Sequence, residues 1–265
     1  MKHPKLAAVT VAALTALATL AGCASDGGGT GPTPAAGPSS SGASSAGSSA
    51  PAGPAAVLAA AAQRVDQESY RLTLGAGAGG DGTVLLWDPK GRRGLETTTL
   101  VVANGKVVVE RLATGTDVYV KVTAPDRRVP VWDGRTWWHL GTAEAAAGKR
   151  TGVDNTRLAG TLGAATEVRA TGERAYAGTL DLRRSTEVLG SGMSGVLGER
   201  AAAVPFTATV DAQGRLVRYR IELSDEPGRA SALDLTYADF GLPVSAEKPA
   251  AGLIGEDPPA NIPGA

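Results

Sequence analysis

The alternation of apolar and polar residues after residue 70 limits the folds open to this chain more than any other feature. Residues 70–74 and 118–122 each place an apolar side chain at every second position, which is typical of strands with one buried face. Turn sequences at 88–91, 104–105 and 211–214 join successive apolar runs, so neighbouring strands are expected to be antiparallel. The sequence therefore predicts an α+β fold, mainly antiparallel β, with about ten strands.

Helical spacing of apolar residues occurs in three places. Residues 57–65, after Pro54, predict a first helix. Asp154 or Asn155 is expected to cap a short helix through Leu162. Residues 185–197 predict a third, glycine-rich helix, whose apolar face includes Val188, Leu189 and Met193. Because these apolar stripes must be covered, we expect a curved sheet that wraps around the helices.

The first 22 residues have the pattern of a secretory signal. Residues 1–5 carry two lysines, and residues 6–20 are uncharged and mostly apolar. The sequence LAGC at residues 20–23 resembles the lipobox of bacterial lipoproteins. This resemblance implies a diacylglyceryl group on Cys23, cleavage before it, and a lipid-anchored protein on the extracytoplasmic face of the cell membrane. The alternative is an ordinary signal peptide with a free cysteine.

The remainder of the chain divides by composition. Residues 23–53 are almost entirely Gly, Ala, Ser, Thr and Pro and predict a flexible linker. Residues 54–248 are expected to form the folded domain, and the Pro- and Gly-rich residues 249–265 a disordered tail. Cys23 is the one cysteine in the sequence, so the domain is expected to hold together without disulfides.

Charge and residue content argue against several classes of function. Lys plus Arg and Asp plus Glu number 26 each, so nucleic acid is not an expected partner. After signal cleavage His139 is the one remaining histidine. Catalysis by a serine or cysteine nucleophile with a histidine base is therefore not expected, and neither is a metal site with several histidines. We expect a monomer that is not an enzyme and holds no metal or cofactor.

Several stretches together resemble the actinobacterial LppX/LprG lipoprotein family, which is LolA-like. These are GRTWW at 134–138, YAGTLDL at 176–182, VDAQGRL at 210–216 and YADFG at 237–241, behind a lipobox, a linker and a helix. The resemblance covers nearly the whole mature chain. It implies a half-open β-barrel folded over helices around an apolar cavity, and the binding or transport of lipids across the envelope.

The candidate site residues follow from the inward faces of the strands. A ligand cavity is expected to be lined by Leu72, Leu74, Leu85, Val118, Val120, Val122, Val217, Tyr219 and Ile221, although the same pattern describes an ordinary core. Val188, Leu189 and Met193 are candidates for a lid, and Trp132, Trp137 and Trp138 for a lipophilic rim. The alternative for the tryptophans is cross-strand packing. Because Trp137 and Trp138 are adjacent on a strand, they are expected to face opposite ways, and the one that points outward is the better rim candidate. The alternative function is a module that contacts another envelope protein.

Overall fold

The structure is a computed structural model and describes residues 53–75, 82–103, 105–124, 132–142, 155–184, 197–223, 232–255 and 258–259. All of these belong to one compact unit, Ser49–Ala265. The predicted signal, Cys23, the linker before residue 53, and the lid candidates Val188, Leu189 and Met193 lie outside the described residues.

The described residues form one α-helix and twelve strands. The helix is α1 (Pro54–Val65). The strands are β1 (Tyr70–Gly75), β2 (Gly82–Asp88), β3 (Arg93–Val102), β4 (Gly105–Thr114), β5 (Asp117–Thr123), β6 (Trp137–Thr142), β7 (Ala165–Ala170), β8 (Ala175–Leu180), β9 (Val204–Val210), β10 (Leu216–Glu222), β11 (Ala232–Ala238) and β12 (Ile254–Gly255). Short 3-10 segments occupy Asn155–Ala164, Leu182–Arg184, Gly198–Ala202 and Ala251–Leu253.

All twelve strands belong to one sheet that is not closed. Their order is β12-β6-β5-β4-β3-β2-β1-β11-β10-β9-β8-β7, and every pairing is antiparallel except that of β12 with β6. Two meanders, β1–β6 and β7–β11, meet where Leu72 of β1 lies between Leu85 of β2 and Tyr237 of β11. The prediction of a mainly antiparallel α+β fold is confirmed, with twelve strands in the described part rather than about ten.

Helix α1 packs on one half of this sheet together with the 3-10 segment Asn155–Ala164. Its buried residues Leu58, Ala61, Ala62 and Val65 follow helical spacing. They share a core, here called cluster 1, with side chains of β1, β2 and β8–β11. The short helix that was predicted to extend through Leu162 is present over Asn155–Ala164. It is a 3-10 helix, and Gly160 and Gly163 lower the α-helical propensity of this stretch.

A β-bulge changes which residues of β10 face the core. Leu216 pairs with Val210 and Arg218 with Thr209, so β10 carries one extra residue between them. Leu216 is therefore fully buried, whereas Val217 is half-buried. The prediction that Val217 lies on the buried face is wrong, because the extra residue shifts the alternation by one position.

Strand register defines two ends of the sheet. The hairpin end carries the turn between β3 and β4, the end of β5 at Thr123, the start of β6 at Trp137, the start of β9 at Val204 and the end of β10 at Glu222. The tail end carries the start of β1 at Tyr70, the end of β2 at Asp88, the start of β5 at Asp117 and the end of β11 at Ala238.

Residues after β11 run along the tail end and reach the far edge of the sheet. The Gly241 amide donates to the Ser69 carbonyl over 2.9 Å, and Ile254 of β12 pairs with Trp137 of β6. Gly255 is required here, because a Cβ atom would overlap the Trp138 ring. Residues 251–255 thus form ordered structure within the tail that was predicted to be disordered, since pairing with an edge strand supplies backbone partners that composition does not reveal.

Candidate functional site

Most of the predicted lining residues on β1, β2 and β10 are core residues in cluster 1. Leu72, Leu85, Tyr219 and Ile221 are each at most 3% exposed, and Leu74 is partly buried against them. They share this cluster with the buried side chains of α1 and of the 3-10 segment Asn155–Ala164. This half of the sheet therefore has a filled interior.

The predicted lining residues Val118, Val120 and Val122 lie in a second core, here called cluster 2. Its other buried members are Val107, Val109, Trp138 and Leu140. Trp132 is partly buried against the cluster. Trp132 and Trp138 were candidates for a lipophilic rim, and their packing in cluster 2 fits the alternative of cross-strand packing.

Trp137 lies on the other face of β6. It is half-buried, and the Lys121 ammonium lies 4.6 Å from the centroid of its ring. This contact is a cation–π interaction. The prediction that the adjacent tryptophans face opposite ways is confirmed. Trp137 and Trp132 are thus the rim candidates that retain contact with solvent, whereas Trp138 is buried.

An ion pair lies on the inner face of the sheet between the two clusters. Arg111 Nη1 of β4 donates to Glu96 Oε1 of β3 over 2.8 Å, and the side chains are 12% and 9% exposed. On the neighbouring strands, the hydroxyls of Thr83 and Thr98 are hydrogen-bonded at 3.0 Å. Sequence reasoning missed these residues, although Glu96 occurs at an otherwise apolar strand position. A charge is rarely buried without a partner.

A cavity of about 410 Å³ opens at the hairpin end. It lies between the 3-10 segment Gly198–Ala202, the start of β9 and the end of β10. This cavity is here called the rim pocket. It is lined by Leu197, Arg200, Ala203, Val204, Pro205, Glu222 and Leu223. Leu197, Val204 and Leu223 belong to cluster 1 or pack against it, so the pocket opens from the edge of the core.

The lining of the rim pocket is mainly aliphatic, with two charged residues. Glu222 Oε1 accepts a hydrogen bond from Arg220 Nε over 2.5 Å, so its charge is balanced from within the sheet. Arg200 Nη2 lies 3.5 Å from the Leu223 carbonyl oxygen. The pocket thus combines an apolar wall with the charged side chains of Arg200 and Glu222, a distribution suited to a ligand with an apolar body and a polar end.

The pocket residues were not among the predicted site residues. Val204 and Leu223 follow the alternation of their strands and are indistinguishable from core residues in sequence. The cavity exists because the 3-10 segment before β9 stands beside the end of β10. That contact joins parts of the chain about 20 residues apart and leaves no periodic signal.

The described titratable residues form no cluster suited to metal binding. Within those residues, no group of three or more His, Cys, Asp or Glu side chains is placed to hold a metal ion. His139 Nε2 lies 2.8 Å from Asp117 Oδ1 at the protein surface. This hydrogen bond lowers the pKa of Asp117, and the His139 ring stacks on Tyr119 with centroids 4.9 Å apart.

A cap-like turn holds Asp133 between Trp132 and β6. Its Oδ1 accepts hydrogen bonds from the Thr136 amide over 2.9 Å and the Arg135 amide over 2.7 Å. These backbone donors lower the pKa of Asp133. The carboxylate therefore has a local structural role in placing Trp132 and Trp137 on either side of the turn.

Comparison with known proteins does not assign this site to a family. Among the described helices, none is both long and apolar enough to cross a membrane. The search with family models found no match to the sequence, and the search of curated proteins found no significant match.

Proposed function

We propose that the protein is a membrane-tethered, extracytoplasmic binding protein for a lipid or another lipophilic ligand, with a LolA/LppX-like half-open barrel. The observation that carries the proposal is the aliphatic rim pocket of about 410 Å³ at the edge of cluster 1. Small-molecule pockets have volumes of roughly 300–1,000 Å³ and mostly apolar walls. An acyl chain needs such a wall because burying its methylene groups supplies the binding free energy.

The first test is the composition of the purified domain. The unit Ser49–Ala265 contains both core clusters and every described strand, so it is expected to fold without the segment before it. Expressed in bacteria and extracted with organic solvent, it should release a lipophilic molecule in stoichiometric amount, detected by mass spectrometry. An extract without such a molecule, from a domain that also fails to take up added fatty acids, would contradict the carrier proposal.

Introducing charge into the rim pocket should reduce ligand binding. Leu223→Glu places a carboxylate in the apolar wall beside Glu222, and ligand affinity should fall by about tenfold or more, since the lost burial of one leucine exceeds 1.4 kcal/mol. Titration with a fluorescent fatty acid measures this change. Leu242→Glu is the matched control, because Leu242 is 54% exposed at the tail end and should leave affinity unchanged. Equal affinities for the two variants would exclude the pocket as the binding site.

The lipid anchor has an independent test. In a bacterial host that processes lipoproteins, the full chain grown with radioactive palmitate should become labelled, and Cys23→Ala should abolish the label because the thiol is the acceptor for the diacylglyceryl group. Persistent labelling of Cys23→Ala would place the acyl group elsewhere. This experiment tests membrane attachment only. Ligand binding is tested separately with the variants of the rim pocket.

The alternative function is an interaction module that contacts another envelope protein. It is favoured by β7, a strand at the edge of the sheet whose one strand neighbour in the described part is β8. An edge strand offers backbone groups for pairing with a strand of a partner. An empty domain that nevertheless binds an envelope protein through this edge would support the module.

A further inference from the structure

The hairpin formed by β3 and β4 extends beyond the strands on either side of it. β3 pairs with β2 as far as Thr99, opposite Gly82. β4 pairs with β5 from Val108, opposite Thr123. Residues 100–103 and 105–107 therefore project past the described ends of both neighbouring strands at the hairpin end, and they are here called the hairpin tip.

The hairpin tip exposes three consecutive aliphatic side chains. Leu100, Val101 and Val102 are 36%, 46% and 43% exposed. Val101 lies opposite Lys106 in the register of β3 and β4, and Lys106 is itself exposed. Because successive strand residues face opposite ways, Leu100 and Val102 lie on one face of the hairpin and Val101 lies on the other. Single exposed apolar residues are common on protein surfaces, but exposed apolar side chains on both faces of a projecting hairpin suit an element that inserts into an apolar medium.

The hairpin tip and the rim pocket lie at the same end of the sheet. The register places the β3–β4 turn, the start of β9 at Val204 and the end of β10 at Glu222 at the hairpin end. Val204 and Glu222 line the rim pocket. At the opposite end, the Gly241 amide donates to the Ser69 carbonyl and the Ser69 hydroxyl donates to the Leu242 carbonyl. A surface that binds the hairpin tip would thus approach the pocket end and not the tail end.

We propose that the hairpin tip docks on a phospholipid membrane surface, with Leu100, Val101 and Val102 among the acyl chains and Lys106 near the headgroup phosphates. The proposal rests on the proposed function, in which the ligand comes from a bilayer and the chain is anchored there. Aliphatic side chains suit hydrocarbon because they carry no polar group that needs a partner. Basic residues beside them are attracted to anionic lipids.

The length of chain before the domain favours a membrane as the occupant. Between Cys23 and the start of α1 lie about 30 residues of small-residue linker, with a root-mean-square span of roughly 30 Å. An anchor at Cys23 would therefore hold the domain at high local concentration beside the bilayer. Under these conditions a weakly lipophilic tip is sufficient for repeated docking, since the tether supplies part of the attraction.

The docking test uses the unit Ser49–Ala265, which lacks Cys23 and its anchor. Flotation is measured with vesicles of phosphatidylcholine alone and with vesicles that contain one-quarter phosphatidylglycerol. Val101→Asp should weaken association by about tenfold or more, because it replaces an exposed apolar side chain, which the bilayer would bury, with a charge. Lys106→Gln should weaken association by about fivefold with the anionic vesicles alone.

Leu242→Asp is the matched control. It changes a leucine with greater exposure at the tail end and should leave vesicle association unchanged. Val101→Trp supplies a gain-of-signal variant, since its fluorescence should shift to shorter wavelength on adding vesicles, whereas Leu242→Trp should not shift. Unchanged thermal unfolding midpoints would establish that the variants are folded.

The possible outcomes of this test distinguish membrane docking by the hairpin tip from ligand binding in the rim pocket. Equal vesicle association of wild type, Val101→Asp and Leu242→Asp would overturn docking by the hairpin tip, whatever lipid is extracted from the pocket. Self-association that Val101→Asp abolishes, without vesicle binding, would overturn it in favour of a second copy of the chain. Vesicle association that depends on Val101 in a domain with an empty, inactive pocket would support docking and contradict ligand carriage.

Discussion

Replacing Tyr219 with alanine is expected to lower the free energy of unfolding by about 3–5 kcal/mol, the range for removing a buried aromatic side chain. Tyr219 is fully buried at the centre of cluster 1. Its ring meets Phe206 edge to face with centroids 5.9 Å apart. Removing it leaves a cavity that α1 and the strands are poorly able to close, because both are fixed by their other contacts. Urea unfolding of the purified domain measures the change.

Tyr219→Phe distinguishes the contribution of the hydroxyl group to stability from that of the aromatic ring. The Tyr219 hydroxyl lies 2.6 Å from that of buried Thr161, and Thr161 donates its own hydrogen to the Leu158 carbonyl over 2.7 Å. Tyr219 is therefore the donor, and burial raises its pKa, so it remains protonated. Losing this one bond should cost about 1 kcal/mol. If Tyr219→Ala were no more destabilising than Tyr219→Phe, the packing of cluster 1 would be looser than its burial indicates.

The second large effect is expected at the buried ion pair. Glu96→Leu removes the carboxylate that accepts the hydrogen bond from Arg111 Nη1 on the inner face, and the free energy of unfolding should fall by about 3–5 kcal/mol. The cost arises because the largely buried Arg111 charge loses its ion pair with Glu96. Urea unfolding again provides the measurement.

The matching double variant tests whether pairing is responsible. Glu96→Leu with Arg111→Met should recover most of the stability, since replacing both members of a buried pair with apolar residues is often neutral or stabilising. Asp239→Asn is the control. It breaks the Arg71–Asp239 pair, whose side chains are 42% and 41% exposed, and should cost less than about 1 kcal/mol. A double variant as unstable as Glu96→Leu would mean that shape, rather than charge, determines the loss.

Local patterns predicted the strands and the first helix successfully. Alternation identified β1, β5 and β10, and turn residues separated β9 from β10, because a strand with one buried face and a tight turn leave signals within a few residues. The alternation pattern failed at the β-bulge before Arg218. Leu216 is buried and Val217 is half-buried, because one extra residue reverses the face of the sheet to which the preceding residues of the strand point.

The site was less accessible to prediction than the strands. The expected lining residues were correctly identified as apolar and inward, but Leu72, Tyr219 and Ile221 are packed in cluster 1 with α1 residues. Core residues and cavity-lining residues have the same sequence pattern, because both are apolar residues that point inward. They differ only in whether another side chain or empty space lies opposite them. The rim pocket depends on the 3-10 segment Gly198–Ala202 standing beside Leu223, a contact between different elements.

By itself, the sequence determined the period of each strand, the positions of the turns and the apolar face of α1, since these depend on residues a few positions apart. The tertiary structure alone decided that β1 pairs with β11, that Glu96 meets Arg111 inside the sheet, and that the hairpin tip and the rim pocket share one end. Those arrangements depend on the register between strands that are far apart in the sequence. Neighbouring residues alone do not determine this register, because it also depends on the rest of the sheet.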